Sequence, residues 1–126
     1  MTNFFVLVYA LIIVESGGND LAHKGDCLGC LQIRPVVVQD VNEIYASHYQ
    51  LRDRLDRLKS IEICRMYLEY YCTAERLGRP VTWEDAAKIW NAGPEGRRKG
   101  RARTYWKKVK VVLSQQEEER LLAMEN

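Results

Sequence analysis

The sequence predicts a mainly helical fold with at most a small β-hairpin, and three features favour this class. The stretch Phe4 to Val14 is apolar throughout and is closed by a carboxylate and two glycines, which indicates a helix of about three turns. Apolar residues recur at helical spacing between residues 61 and 72, and Thr82 with Asp85 forms a capping pattern for a later helix. The chain of 126 residues is expected to form one compact domain, residues 1–126, around one core.

The middle of the chain supplies the predicted hairpin and two more helices. Residues 19 to 33 are rich in glycine and polar residues and lack apolar periodicity, which indicates a loop with at most a small hairpin. Pro35 suits the first turn of a helix over residues 36 to 45, although three consecutive valines there also favour a strand. The spacing between residues 61 and 72 predicts the longest helix, ending near Gly78.

Two helices are predicted in the last third of the chain. The first begins at Thr82 and is broken by the sequence Asn91-Ala-Gly-Pro94. A basic loop over residues 95 to 103 follows, and Thr104 is expected to cap a final helix whose inward face includes Tyr105. The domain is therefore expected to be helical around a buried N-terminal helix.

The apolar N-terminal block also has the composition of a membrane segment or an export signal. A transmembrane helix needs about 20 apolar residues, and the block from Phe4 to Val14 is too short. The first three residues include no Lys or Arg, and no small-x-small cleavage site follows Val14, so there is no convincing signal peptide. We therefore predict a buried helix wrapped by the rest of the domain and no transmembrane span, with the localisation left open.

The cysteines are Cys27, Cys30, Cys64 and Cys72. The first two have the spacing of half a zinc site, but the other two lie too far apart to complete it. Buried thiols that pack as small hydrophobic groups are favoured, with disulfides as the alternative. Neither a metal nor a cofactor is expected, and cysteine usage does not fix the compartment.

Glu15 occupies an unusual position for an acid, directly after the apolar block and before Gly17 and Gly18. Apolar neighbours remove water from its carboxyl group, and the C-terminal end of a helix dipole is negative, so both effects favour the protonated form. A lone Glu at a helix end is more often a solvated residue. A protonated Glu near neutral pH, however, can donate the proton that glycosidic bond cleavage requires.

Three motifs share an order and spacing with a known family: Glu15-Ser-Gly-Gly-Asn19, Gly29-Cys-Leu-Gln-Ile33 and Trp90-Asn-Ala-Gly-Pro94. Together they resemble the lysozyme-like lytic transglycosylases, whose catalytic Glu lies in the first motif. The segment from residue 89 to Val109 also resembles the C-terminal half of invertebrate-type lysozymes. The resemblance implies an α+β lysozyme-like fold and cleavage of the β-1,4 bond between N-acetylmuramic acid and N-acetylglucosamine in peptidoglycan.

The resemblance also implies roles for particular residues. Glu15 would be the general acid and base, and the cleft around it would be lined by Ser16, Gln32, Trp90, Asn91 and Tyr71. Trp90 stands where the family has a Tyr whose hydroxyl meets the catalytic Glu, so that contact is absent or comes from another residue such as Tyr67 or Tyr71. The indole of Trp90 is expected either to fill the core or to stack on a sugar.

The nucleophile separates two enzyme types. Lytic transglycosylases need no second carboxylate, because the 6-hydroxyl of muramic acid attacks its own anomeric carbon. Invertebrate-type lysozymes add an Asp, for which Asp26 is the candidate eleven residues after Glu15, with Asp20 nearer still. Asp26 lies in a Gly-flanked turn, where Asp is common for local reasons. A transglycosylase is therefore predicted, with a hydrolase using Glu15 and Asp26 as the alternative.

Basic residues are concentrated in one segment although the net charge is only +2. Residues 97 to 110 include eight basic side chains and no acid, a pattern typical of a solvated face, an anion-binding surface or a nucleic-acid interface. Peptidoglycan strands are the expected partner and nucleic acid is not expected, although a non-catalytic glycan- or nucleic-acid-binding module is a further alternative. The sequence leaves the oligomeric state open.

Overall fold

Helices dominate the computed structural model, which describes residues 3–125. The helices are α1 Phe4–Ser16, α2 Pro35–Tyr45, α3 Arg57–Tyr71, α4 Ala74–Leu77, α5 Trp83–Ala92 and α6 Gly100–Met124, with a 3-10 helix at Leu51–Leu55. The strands β1 His23–Lys24 and β2 Cys27–Leu28 form one antiparallel hairpin in which His23 pairs with Leu28. The predicted class, a compact mainly α domain with a small hairpin, is confirmed.

Helix α1 ends where the glycine pair predicts. Gly17 adopts a left-handed conformation with φ of 64°, and its N–H donates to the carbonyl of Ile13, which closes the last turn. Leu7 and Leu11 are fully buried, but Phe5 is 64% exposed and Tyr9 51% exposed. The prediction that the domain wraps this helix on every side is therefore wrong, because α1 packs mainly against α6 and its opposite face stays open.

The hairpin segment, residues 19 to 33, is fixed to the 3-10 helix by a buried arginine. Arg54 Nη1 donates to the carbonyls of Asp26 and Ile33 at 2.9 and 2.8 Å. Gly29 lies against this region with φ of 85°, and a Cβ at its position would collide with the carbonyl of Arg54. Only glycine allows this close approach. The approach and the Arg54 hydrogen bonds together hold the loop from residue 19 to residue 33 against the 3-10 helix.

Helix α2 begins at Pro35, close to the predicted boundary, and the strand alternative for its valines is wrong. Val37, Val38 and Val41 are buried on one face of the helix, so packing overrides their β propensity. The prediction for the longest helix is also wrong, because α3 ends at Tyr71 and α6 is longer, with 25 residues.

Helices α5 and α6 meet at the Asn-Ala-Gly-Pro turn. The Thr82 and Asp85 side chains form the predicted capping box, and α5 ends at Ala92. Helix α6 starts at Gly100, so the prediction that Thr104 caps it is wrong. Thr104 Oγ1 instead donates to the Gly100 carbonyl inside the first turn. The earlier start follows from packing, because Ala102 is fully buried and draws the basic segment into the helix.

All four cysteines are free thiols, and Cys30, Cys64 and Cys72 are buried, as predicted for small hydrophobic groups. Within residues 3–125 there is no cluster of three or more His, Cys, Asp or Glu that could hold a metal ion. None of the helices in this part of the chain has the length and apolar composition that crossing a membrane requires.

Candidate active site

A pocket of about 530 Å³ lies between the C-terminal end of α1, the hairpin segment, the start of α2 and the junction of α5 with α6. Its walls combine apolar, polar and basic side chains from these elements. The residues near its acid include Val14, Glu15, Gln32, Trp90, Asn91 and Tyr105. All three motifs of the sequence therefore contribute to one pocket.

Glu15 is the acid of this pocket, and its environment favours the protonated form. Removal of water from the carboxyl group raises its pKa from 4.5 to about 7, although hydrogen bonding from Tyr105 and, secondarily, from Trp90 opposes that rise. Among residues 3–125 no cation forms an ion pair with Glu15. The carboxyl group can therefore both donate and accept a proton near neutral pH.

Tyr105 supplies the hydroxyl that contacts the acid. Its Oη donates to Glu15 Oε2 at 3.1 Å, from a buried position in α6. Burial and the adjacent Glu15 raise the pKa of the Tyr105 phenol, so the phenol is a neutral donor. The sequence predicts that Tyr105 faces inward on the last helix, but it does not predict this contact with the acid. The available signal was its spacing of four residues from the buried Val109, which puts both on the inward face of α6.

The structure does not give this role to either of the tyrosines considered from the sequence. Tyr67 packs edge-to-face on Trp90, with ring centroids 5.7 Å apart, inside the core. Tyr71 donates its hydroxyl to Asp40 at 2.6 Å and lines a different pocket beside Leu77. Tyr71 is therefore not among the residues that surround Glu15.

Trp90 and Asn91 lie together at the end of α5. Trp90 is 8% exposed and belongs to the core, yet its indole also lines the pocket, so the two expectations for this residue are compatible. Asn91 Oδ1 is buried and accepts no hydrogen bond from residues 3–125. A buried acceptor without a partner costs about 1–3 kcal/mol, so this oxygen is a polar group that the fold leaves unsatisfied beside the pocket.

Gln32 lines the pocket as the sequence predicts, between the buried side chains of Leu31 and Ile33. Its backbone has a φ of 51°, which is unusual for a residue other than glycine. The Gln32 amide donates to the carbonyls of Ala22 and Gly29 at 3.1 and 2.9 Å. These bonds fix the amide group, so its orientation is set before any ligand binds.

Ser16 and Asp26 lie outside the pocket lining. The Ser16 hydroxyl donates to the carbonyl of Cys30 at 2.8 Å and accepts from the N–H of Asn19 at 3.1 Å, so it ties the hairpin segment to α1. Asp26 is exposed on the hairpin turn, and Asp20 pairs with Arg57 at 2.7 Å. Of the described residues, Glu15 is the only carboxylate that lines the pocket.

Comparison with known proteins does not indicate a function for this pocket. No protein-family model and no curated protein sequence matches the chain. The function must therefore be argued from the three motifs and from the pocket that they build.

Proposed function

We propose that the protein is a lytic transglycosylase that cleaves the β-1,4 bond between N-acetylmuramic acid and N-acetylglucosamine in peptidoglycan. One observation carries the proposal. Glu15 is the sole carboxylate in the pocket lining of residues 3–125, and its pKa is raised to about 7. Glycoside cleavage by one carboxyl group requires such an acid, because the same group must give up a proton and then take one back.

The proposed reaction has two steps. The protonated Glu15 donates to the bridging oxygen, and the bond from the muramic acid anomeric carbon to that oxygen breaks. The 6-hydroxyl of the same muramic acid then bonds to the anomeric carbon, and its proton returns to the Glu15 carboxylate. The attack is intramolecular, and well-oriented intramolecular reactions reach effective molarities of about 10⁵ M or more.

The neighbouring residues orient the acid and the sugar. Tyr105 donates to Oε2 of Glu15, which leaves Oε1 to hold the transferable proton. Asn91 lines the same pocket, and we propose that its side-chain amide binds an N-acetyl group or a sugar hydroxyl. The fixed amide of Gln32 also lines the pocket, and the indole of Trp90 forms an apolar surface at the end of α5.

The exposed position of Asp26 favours the transglycosylase over the hydrolase. A hydrolase that uses a second carboxylate needs that group beside the sugar, and the spacing of the two carboxyl groups decides the stereochemical outcome. Asp26 does not line the pocket that holds Glu15. No observation of the described residues favours a nucleic-acid-binding or a non-catalytic role over cleavage.

A turbidity assay on purified peptidoglycan tests the proposal directly. The wild-type protein should clear the suspension, and Glu15→Gln should lose a factor of about 10² or more in rate because the amide cannot supply the proton. Circular dichroism of both proteins controls for folding.

Three results would overturn the proposal. Lysis by Glu15→Gln at the wild-type rate would show that Glu15 is not the general acid. Peptidoglycan binding without cleavage by the wild-type protein would identify a binding module. Tight, steeply salt-dependent binding to duplex DNA at physiological salt would favour the nucleic-acid alternative.

A further inference from the structure

Four basic side chains line the same pocket as Glu15. Lys24 on β1 and Arg34 immediately before α2 line one side, and Arg101 and Lys108 on α6 complete the set. Arg101 and Lys108 are seven residues apart, so they lie two turns apart on one face of α6. Four cations from three separate segments therefore converge on one pocket that holds a single carboxyl group.

These four side chains have no partners within residues 3–125. None of them forms an ion pair with a carboxylate, and none donates a hydrogen bond from its side chain to another described residue. Some basic residues elsewhere in the domain do form ion pairs. Arg57 pairs with Asp20, and Arg79 pairs with Asp85. The four cations of the pocket therefore do not contribute ion pairs to the fold of the described residues.

Glu15 does not serve as their counter-ion. An adjacent cation would lower the pKa of the carboxyl group, and none of the four cations is a significant influence on Glu15. Converging cations repel one another unless an anion binds among them. The arrangement therefore fits a ligand that brings negative charge to the pocket.

We infer that Lys24, Arg34, Arg101 and Lys108 recognise carboxylate groups of the glycan beside the scissile bond, so that the pocket selects carboxylate-bearing strands over neutral N-acetylglucosamine polymers. This inference rests on the proposed function, because it assigns the substrate class of the same pocket. Guanidinium and ammonium groups bind carboxylates through charge-assisted hydrogen bonds, and guanidinium can bind both oxygens at once.

Two sources of carboxylate occur on peptidoglycan. One is the lactyl group of muramic acid, which is free where the peptide has been removed, and the other is the attached peptide. Both present the same chemistry to the four cations. The four cations could bind either source of carboxylate. Strands that carry peptides and strands stripped of peptides distinguish the two sources.

The first experiment keeps the protein constant and changes the substrate. Glu15→Gln is used as a non-cleaving protein, and its binding is measured by calorimetry on peptide-bearing strands, on strands stripped of peptide and on N-acetylglucosamine oligomers. The two charged substrates are also measured after carbodiimide-driven amidation, which neutralises their carboxylates. At least one charged substrate should bind about tenfold or more tightly than its amidated form, and that substrate identifies the source.

The second experiment keeps the substrate constant and changes the protein. In the wild-type background, Arg101→Gln with Lys108→Gln should raise KM on the preferred strand about tenfold with little change in kcat, because the lost contacts are made in both the ground and transition states. The matched control is Lys99→Gln with Lys107→Gln. It removes the same charge from the same segment at exposed positions that do not line the pocket, and it should change KM less than about twofold.

The outcomes separate this inference from the proposed function. Equal binding of native and amidated strands, or equal KM changes in the pocket and control variants, would overturn carboxylate recognition while leaving Glu15-dependent cleavage intact. Absence of cleavage by the wild-type protein, together with strong discrimination in the binding experiment, would overturn the proposed function and support recognition.

Discussion

Glu15 at the end of α1 and Asp85 at the start of α5 are both carboxyl groups on helices with little access to solvent, yet their properties are opposite. Burial raises the pKa of Glu15 to about 7. Asp85 is only 5% exposed, but hydrogen bonds from Arg79 lower its pKa to about 2, together with bonds from Thr82. Burial alone therefore does not decide the charge of an acid in this protein.

The partners of the two acids explain the difference. Arg79 donates two hydrogen bonds to Asp85, each 2.7 Å long, and the N-terminal end of α5 adds a favourable dipole. Glu15 lies at the unfavourable C-terminal end of α1, and it accepts a hydrogen bond from the neutral Tyr105. Asp85 is thus held in one charge state and stabilises the fold, whereas Glu15 can change charge near neutral pH.

The largest expected effect on stability comes from removing the charge of Glu15. The folded-state pKa of about 7 exceeds the ordinary value of 4.5, so the unfolded chain releases this proton first. The unfolding free energy of the wild-type protein should therefore fall by about 3 kcal/mol as pH rises from about 4 to about 8. Glu15→Gln avoids this loss and should be the more stable protein at pH 8, although we expect it to be inactive.

Urea unfolding of both proteins at the two pH values measures this effect. The difference between variant and wild type isolates Glu15, because every other titrating group is common to both proteins. A difference that does not change with pH would show that Glu15 has an ordinary pKa, and the contrast with Asp85 would be lost.

Asp85→Asn should lower the unfolding free energy, whereas Glu15→Gln should raise it at pH 8. The change for Asp85→Asn should also be the smaller of the two. Because the folded-state pKa of about 2 lies below the ordinary 3.8, the stabilisation is present above pH 4 and is lost as pH falls through about 2. Arg79 is 48% exposed and the pair is partly screened, so the variant should lose about 1–2 kcal/mol at pH 7. Urea unfolding at pH 7 checks this value.

Glu84→Gln is the matched control for that measurement. It removes a neighbouring carboxylate of the same helix that pairs with Lys88 from a half-exposed position. Its change in unfolding free energy should stay within about 0.5 kcal/mol. Equal losses from Glu84→Gln and Asp85→Asn would mean that Asp85 has no special role.

The rate of cleavage should also depend on pH through Glu15. The acid form is populated below a pH of about 7, so kcat should fall as pH rises through that value. Tyr105→Phe removes a hydrogen bond that stabilises the charged form, so the pKa of Glu15 should rise and the falling limb should move to higher pH. At pH 6 this variant should lose about fivefold in kcat, because the acid is less well oriented.

Tyr71→Phe controls for the loss of a phenol that is hydrogen-bonded to a carboxylate. It removes the bond to Asp40 outside the pocket, so the limb of its pH profile should stay where the wild-type limb lies. Identical pH profiles for Tyr105→Phe and the wild-type protein would show that Tyr105 does not affect the pKa of Glu15.

Features that depend on neighbouring residues in the chain could be predicted from the sequence. The end of α1 follows from Gly17 and Gly18, and the start of α5 follows from the capping box at Thr82. The desolvation of Glu15 could also be predicted, because some of the apolar residues that surround it belong to its own helix, α1. Local signals were sufficient for each of these features.

Features that depend on packing between distant segments could not be predicted. Tyr105 reaches Glu15 from 90 residues away, and nothing in its local sequence distinguishes it from a core tyrosine. The basic residues before Thr104 resemble a loop and so predict a later start of α6, whereas the helix begins at Gly100 with Ala102 fully buried. Convergence of the pocket cations likewise depends on the position of α6 beside the hairpin.

The smallest expected effect belongs to Asp26→Asn, and it decides which of the two glycoside-cleaving mechanisms operates. Asp26 is exposed on the hairpin turn, and its backbone carbonyl, which the substitution keeps, accepts the hydrogen bond from Arg54. The variant should therefore retain wild-type activity within about twofold, since a surface substitution away from the reacting atoms leaves the barrier almost unchanged. If the 6-hydroxyl of the substrate is the nucleophile, as we propose, mass spectrometry of the products from both proteins should find 1,6-anhydromuramic ends, each lighter by one water than a hydrolysed end. Reducing ends alone, together with an inactive Asp26→Asn, would instead show that the hairpin turn brings a second carboxylate to the sugar.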